Sequence, residues 1–341
     1  MSRRKLIRLA GVAAAASAVL AVAACGSSGS TGATPTQLSL VGFAVPKAGN
    51  DAVRALWGKT PDGAGVTWTT SYGASGDQSR AVAAGLKADL VHFSITPDVT
   101  RLVDAKLVAD TWDDGPTKGI LTDSVVVLVV RKGNPKNIKG WDDIVKPGVG
   151  IVTPNPGSSG AARWNILAAW GHVTANGGSE ADATAFLTKF FQNTVALPGS
   201  GRDATTAFQG GTGDVLISYE NEAILARQNN ADFDYIIPDT TLLIENPAAV
   251  TVGSNPKAAT FLTYALSKDG QTAYAEKGFR PLDKSVSVTV TGANDPANPF
   301  PAPKKLLTID TDFQGWSAVS KKYFDTTNGI ITKIQQQTGK S

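Results

Sequence analysis

The amino-acid sequence predicts an α/β protein whose sheets are mainly parallel, and three observations carry that expectation. Short runs rich in β-branched and aromatic residues alternate along the chain with stretches of helical character. One run, Ser124–Val130, is apolar throughout, as a strand covered on both faces is. The length of 341 residues, 42% of them hydrophobic, suffices for two buried cores, because ordinary domains hold roughly 100–200 residues.

Gln37–Val45 is the first expected strand, followed by a helix over Asp51–Trp57. Gly65–Ser71 is a second strand, which runs through Tyr72-Gly73-Ala74-Ser75-Gly76 into a helix over Asp77–Leu86. Asp89–Ile95 and Ser124–Val130 are further strands, and Val149–Thr153 another, broken by Pro154-Asn155-Pro156. Helices are expected near Ala161–Trp170 and over Asp182–Phe191, then a strand at Asp214–Ser218 and a helix through Leu225. Asp234–Ile237 and Ala249–Val252 read as short strands, and Lys257–Leu266 and Gly270–Lys277 as helices. Pro299, Pro301 and Pro303 mark a loop before a C-terminal segment with helices over Phe313–Phe324 and Ile330–Gln337. The chain has no internal repeat.

The charge balance narrows the function. There are 32 Lys+Arg against 29 Asp+Glu, but Arg3, Arg4, Lys5 and Arg8 lie in the first eight residues, and without those four the balance is 28 to 29. No excess of cations remains to neutralise a phosphate backbone, so nucleic acid is not an expected partner. One Cys and two His, His92 and His172, cannot supply the four ligands of a structural zinc site, and one Cys cannot form a disulfide framework. No metal or other cofactor is expected. His92, within a strand, is expected to be a packed polar residue, and His172, at a helix end, a cap. Asp142-Asp143 and Glu220/Glu222 are expected at solvated helix starts, and Trp141, Trp164 and Trp170 in packing.

The first 24 residues read as an export signal: a basic stretch, then the apolar Leu9–Ala24, which at 16 residues is short for a membrane span of about 20. Arg3-Arg4 with Leu6-Ile7 fits a twin-arginine signal, and a general export signal equally well. The stretch ends in Val22-Ala23-Ala24-Cys25-Gly26, which resembles a bacterial lipobox, so Cys25 is expected to become the lipid-bearing N-terminus. An unpaired thiol is otherwise odd in an exported protein. Residues 25–36 are a Gly/Ser/Thr tether. The expected object is a soluble protein leashed to the outer face of a bacterial cell membrane, periplasmic or extracellular.

Two segments share one design, a strand end followed by small residues and a helix start: Tyr72–Gln78 and Asn155–Ala162. Free N–H groups at a helix start, together with the helix dipole, favour an anion. Taken alone, each loop is better read as an ordinary helix cap, since Ser and Gly are common there. Neither has the Lys-Ser/Thr ending of a P-loop, so a nucleoside triphosphate is not supported.

Arg131–Lys136, Gly140–Ile144 and Lys146–Val149, Thr153–Asn165 with Ala168–Gly171, and Gly213–Ala223 form distinctive blocks. Ser75–Gln78, Leu86–Asp89, Thr308–Asp310 and Gly315-Trp316 extend them over roughly residues 37 to 325. In these blocks the chain resembles the bacterial sulfate-binding proteins of ABC transporters. The resemblance implies a type II periplasmic-binding-protein fold, in which two lobes close over a dehydrated sulfate held by uncharged donors. Carried over by motif, the backbone donors are Val45, Ser75, Ser159, Gly160, Ala161 and Gly201. The Ser159 hydroxyl is a side-chain donor, and Arg202 braces the Gly201 position. The family's indole donor falls on Tyr219, so a phenol replaces it; Ala161 stands for a glycine, and Val45 for a position where an acid is often seen.

The implied protein is a monomer without enzymatic activity that hands its ion to an ABC permease driven by a separate ATPase. The expected organisation is a first lobe of residues 37–122 plus 242–300, a second of 123–241, and a C-terminal segment, 301–341, packed across both. Thiosulfate, molybdate and tungstate are rival ligands. An exported hydrolase using Ser75 or Ser159 is the rival of another class, weakened by the lack of a nearby His in sequence or a Gly-x-Ser-x-Gly setting.

Overall fold

Gln37–Phe43 forms β1, and it is paired on both sides in parallel: with β2 (Thr67–Gly73) and with β3 (Leu90–His92). The links are helical: α1 (Lys47–Trp57) between β1 and β2, and α2 (Ser75–Ala83) between β2 and β3. This is a computed structural model that describes residues 36–340; the export signal, Cys25 and the tether up to residue 35 lie outside the described residues. After β3 comes α3 (Thr96–Asp104), which the sequence analysis does not anticipate, although Pro97 in its first turn is a helix-start signal.

The long β4 (Ile120–Arg131) extends the expected apolar run by four residues upstream. Then follow α4 (Trp141–Ile144), β5 (Ile151–Val152), α5 (Gly160–Thr174), α6 (Glu180–Asn193), β6 (Thr194–Ala196) and α7 (Gly201–Gln209). Next are β7 (Val215–Tyr219), α8 (Glu220–Gln228), β8 (Phe233–Ile236) and β9 (Thr240–Val250). The chain closes with α9 (Lys257–Leu266), α10 (Lys268–Glu276), β10 (Lys305–Leu307), α11 (Ile309–Phe313), α12 (Gly315–Tyr323) and α13 (Ile330–Thr338). The expected single helix Phe313–Phe324 is two, because Gln314 takes a left-handed conformation (φ 61°) between α11 and α12.

The strands join in the order β2-β1-β3-β9-β4-β7-β5-β6, with β10 on β9 and β8 on β4. The outer pairs β1–β2, β1–β3, β5–β6 and β5–β7 are parallel. The antiparallel pairs all involve β4 or β9: β3–β9, β4–β9, β4–β7 and β4–β8. These two strands pair with each other over Ile120–Val125 and Leu243–Pro247, and each then continues in a different direction. The end of β9 joins β3, and the end of β4 joins β7 and β8. Two half-sheets therefore meet at one antiparallel crossing.

The helix α5 is buried around its whole circumference, with Trp164, Ile166, Leu167 and Trp170 enclosed, as a helix apolar on all faces must be. The C-terminal segment covers one side of it. Trp316 meets Trp164 edge-on with centroids 4.8 Å apart, Tyr323 meets Trp170 at 5.1 Å, and a Cβ on Gly171 would run into Leu307. The helix α13 packs on α6, and α12 also touches α3. No helix among the described residues is long and apolar enough to cross a membrane.

Candidate functional site

The starts of α2, α5 and α7, the Ala44–Pro46 loop before α1 and the end of β7 come together where the half-sheets face each other. A Cβ on Gly201 would lie 3.2 Å from Val45 Cγ2 and 3.3 Å from Ala161 Cβ; one on Gly160 would lie 2.7 Å from both Cβ and Oγ of Ser94. Gly76 N–H donates to Ser158 C=O (3.0 Å), Trp164 Nε1–H to Ser94 C=O (2.8 Å), and Arg202 to Val45 C=O (3.3 Å). The hydroxyls of Ser94 and Tyr219 are 2.7 Å apart. Apart from Gly201–Ala161, which lies within the second half, each of these contacts runs from the first half-sheet to the second. The structure thus gathers all eight sequence-selected residues, Val45, Ser75, Ser159, Gly160, Ala161, Gly201, Arg202 and Tyr219, into one neighbourhood.

The backbone N–H groups of Val45, Ser75, Gly160, Ala161 and Gly201 have no acceptor among the described residues. Apart from Gly201, which is half-buried, these residues are buried. Orphaned buried N–H groups are rare in native proteins. Here three sets sit at helix starts, where intrahelical acceptors are missing by geometry and the dipole is positive. Close approach explains the two glycines: a side chain at Gly160 or Gly201 would enter space occupied by Ser94, Val45 or Ala161.

One role needs correction. Ser159 N–H donates to Asn155 C=O (2.9 Å), closing the turn before α5, so of the two donors ascribed to this residue only the hydroxyl is unpaired. Arg202 turns its guanidinium to Glu222 (2.6 and 2.9 Å) and Val45 C=O, which suits the bracing role and directs its charge away from an anion.

Glu220 and Glu222 are not at a solvated helix start. They are 0% and 2% exposed, because α8 begins inside the molecule, and each is neutralised by an arginine: Glu220 by Arg280 (2.6 and 3.0 Å) and Glu222 by Arg202. His172 does not cap α5; its Nε2 meets the Asp142 carboxylate at 3.1 Å, while Asn176 donates to the His172 carbonyl. His92 is packed as expected, between Asn50 (3.0 Å) and Thr122 (3.2 Å), and burial lowers its pKa to about 3, so it is neutral. Burial raises the Tyr219 phenol well above its ordinary range, so it too is neutral.

Ser75 Oγ is already engaged, donating to Asp98 (2.6 Å) and accepting from Ser94 N–H (2.9 Å). Neither Ser75 nor Ser159 bonds an imidazole: His92 is held by Asn50 and Thr122, and His172 by Asp142. Among the described residues no group of three or more His, Cys, Asp or Glu is placed to hold a metal ion. What the site offers is neutral hydrogen-bond donors.

Ser94 is a site residue that the sequence analysis missed. It engages Ser75, Trp164, Asn246 and Tyr219, all distant in sequence. A lone serine two residues beyond a short strand carries no signal that sets it apart.

The model of the bacterial extracellular solute-binding protein family matches residues 43–280. Over 314 residues the chain is 38% identical to the sulfate-binding protein of Synechococcus elongatus, covering 89% of this chain and 87% of that protein. It is 36% identical to the thiosulfate-binding protein of Pseudomonas aeruginosa, over 84% of this chain and 86% of the relative. Among solved structures it is similar to the sulfate-binding protein SubI from Mycobacterium tuberculosis, with a TM-score of 0.79 and 44% identity, covering 85% of this chain and 100% of that one.

Proposed function

The chain belongs to the bacterial extracellular solute-binding proteins, and from that membership we propose that it captures sulfate outside the cytoplasm and delivers it to the permease of an ABC importer. Its fold is the type II periplasmic-binding-protein fold. The observation that carries the proposal is the set of N–H groups at Val45, Ser75, Gly160, Ala161 and Gly201, buried or half-buried, that have no acceptor among the described residues. Sulfate has no proton at neutral pH, so a pocket of donors satisfies it. Phosphate mostly carries at least one proton, and a donor-only pocket leaves that proton unpaired, at a cost of roughly 1–3 kcal/mol. Helix dipoles replace buried cationic side chains, whose desolvation would be expensive.

The lobes in this reading are residues 37–122 plus 242–300 and residues 123–241, with 301–341 across both. The crossing of β4 and β9 supports the boundaries near 122 and 242, since chain passes between the half-sheets there; residues 288–300 pack instead on α8 and β8 of the second half-sheet, with Val290 and Ala293 against Ile224 and Phe233. Closure over the ion brings Val45, Ser75 and Ser94 against the starts of α5 and α7. The protein acts as a monomer and performs no chemistry; the energy comes from a separate ATPase. A lipid on Cys25 holds it at the outer face of the membrane. Replacing Cys25 with alanine should abolish membrane partitioning and leave ligand affinity unchanged; membrane partitioning that survives the change refutes the anchor.

Isothermal titration with sulfate, thiosulfate, molybdate and phosphate tests the main reading. Sulfate should bind far more tightly than phosphate at neutral pH, and comparable dissociation constants would overturn the donor-only pocket. Thiosulfate is the second reading, favoured by the likeness to a relative named for that ion. Thiosulfate binding tighter than sulfate would establish it.

A further inference from the structure

Where β4 and β9 cross side by side, their residues alternate between two faces. One face looks toward the anion site: Thr122 meets His92 (3.2 Å), Ser124 Oγ accepts from Asn221 N–H (3.3 Å), and Asn246 donates to Ser94 C=O (2.9 Å). The other, outer face carries Asp123 and Glu245, directly opposite each other in the ladder. Two carboxylates so placed repel when both are ionised.

No cation pairs with them. Asp123 Oδ1 is buried and has no hydrogen-bond partner among the described residues. Arg280, whose backbone N–H donates to Asp123 C=O (2.9 Å), sends its guanidinium to Glu220. Lys284 faces Asp123 and Lys118 faces Glu245, but neither makes an ion pair among the described residues. Glu245 also lines a cavity of about 950 Å³, together with Arg101, Asp104, Asp113, Lys118 and Asp310. Arg101 is taken by Asp98 (2.9 Å), and Asp310 adds its own repulsion on Glu245. Such a group of acids relieves the repulsion by keeping a proton. Burial and then the neighbouring carboxylate raise both pKa values, that of Asp123 to about 8.

These carboxyls belong to different moving parts. Asp310 lies in α11, and the flanking Leu307 and Trp316 sit against Gly171 and Trp164 of α5, in the second half. Asp123 and Glu245 lie on the crossing itself, which is the hinge of the proposed closure. In this structure the halves touch across the site, and Asp310 acts on Glu245. Swinging the second half away carries Asp310 with it, so the closed form has the higher proton affinity. We infer that Asp123, Glu245 and Asp310 form a proton-binding site on the outer face of the hinge, and that sulfate capture takes up a proton there. The proton comes from solvent and goes to a carboxylate oxygen. This deepens the proposed function and rests on closure over the ion. The anion site has no part in the uptake: sulfate is fully ionised, its donors are N–H groups and neutral hydroxyls, and His92 is neutral.

The test is calorimetric titration of the full protein with sulfate at about pH 7, 8 and 9, each in two buffers of different ionisation heat, which reads proton uptake directly. Uptake of part of one proton is expected near pH 8. The sulfate dissociation constant should rise with pH by up to about tenfold per unit, the limit for one proton. Asp123→Asn and Glu245→Gln should each abolish the uptake and flatten the pH dependence. Asp310→Asn, at an exposed position, should reduce the uptake and leave the fold intact, so the inference stays testable if a hinge variant does not fold. It is overturned if the parent binds sulfate equally well at all three pH values with no buffer-dependent heat, if binding releases a proton, or if the uptake survives these changes. A parent that binds no sulfate at any pH overturns the proposed function itself, and this inference with it.

Discussion

Replacing Ser159 with alanine separates a ligand from a helix cap. Ser179, Ser200 and Ser267 each accept a backbone N–H at the start of their helices; Ser159, at the start of α5, does not. It is 3% exposed, and its hydroxyl makes no cap bond and has no partner among the described residues. Removing a working cap would cost about 0.5–2 kcal/mol of stability. Because no cap bond exists here, the melting temperature of the ligand-free variant should stay close to that of the parent. If the hydroxyl donates to sulfate, its loss costs about 1.5–3 kcal/mol of binding. At about 1.4 kcal/mol per tenfold, the dissociation constant should rise roughly 10- to 150-fold. Calorimetric titration and thermal melting of the same variant read both quantities. A lowered melting point with an unchanged dissociation constant would refute the reasoning.

Gly160→Ala places a Cβ 2.7 Å from the Ser94 side chain, which must move; we expect a cost of about 1–3 kcal/mol and weaker sulfate binding by titration, and unchanged affinity would mean that the close approach is not needed. Arg280→Ala leaves the fully buried Glu220 carboxylate without its partner, and urea denaturation should show a loss of about 3–5 kcal/mol; a loss near zero would mean that the acid is protonated or rehydrated. Asp123 lies directly opposite Glu245 where β4 and β9 cross; burial first, then that carboxylate, raise its pKa to about 8 from 3.8, against the pull of Arg280 and Lys284. The folded state then holds a proton that the unfolded state has released, so this group makes stability fall as pH rises toward 8. His92, with its pKa lowered from 6.5 to about 3, acts the opposite way only below about pH 6.5, so the Asp123 effect is isolated between 6.5 and 8. Asp123→Asn should flatten the fall in that window, measured by urea denaturation at both ends, and an unchanged slope would assign it elsewhere.

Much of the site was legible because it is local. The runs Tyr72–Gln78 and Asn155–Ala162 carry their helix starts in adjacent residues, and both lie at the cleft. What was not legible depends on distant partners. Only Ala249–Val252 of this stretch is expected as a strand, yet the whole of Thr240–Val250, with Glu245, Asn246 and Pro247 inside it, is the long strand β9; the Pro247 carbonyl still accepts from Phe93, and the proline sits at an irregular step opposite Ile120. Glu220 and Glu222 read as solvated because their arginines lie 60 and 20 residues away in sequence. Tyr219 is singled out by its motif, whereas its hydrogen-bond partner Ser94, 125 residues distant, carries no signal in the sequence.

The cover over α5 also sets an order of assembly. Trp164 and Trp170 sit near the middle of the chain, but Leu307, Trp316 and Tyr323, which enclose them, are among the last residues synthesised. Until those residues emerge, a helix with no polar face has nothing on one side, so the nascent chain cannot complete its largest apolar cluster. Truncation before residue 307 should therefore leave α5 as an adhesive surface for chaperones or for a second unfinished chain, even though every residue of the candidate site is already present.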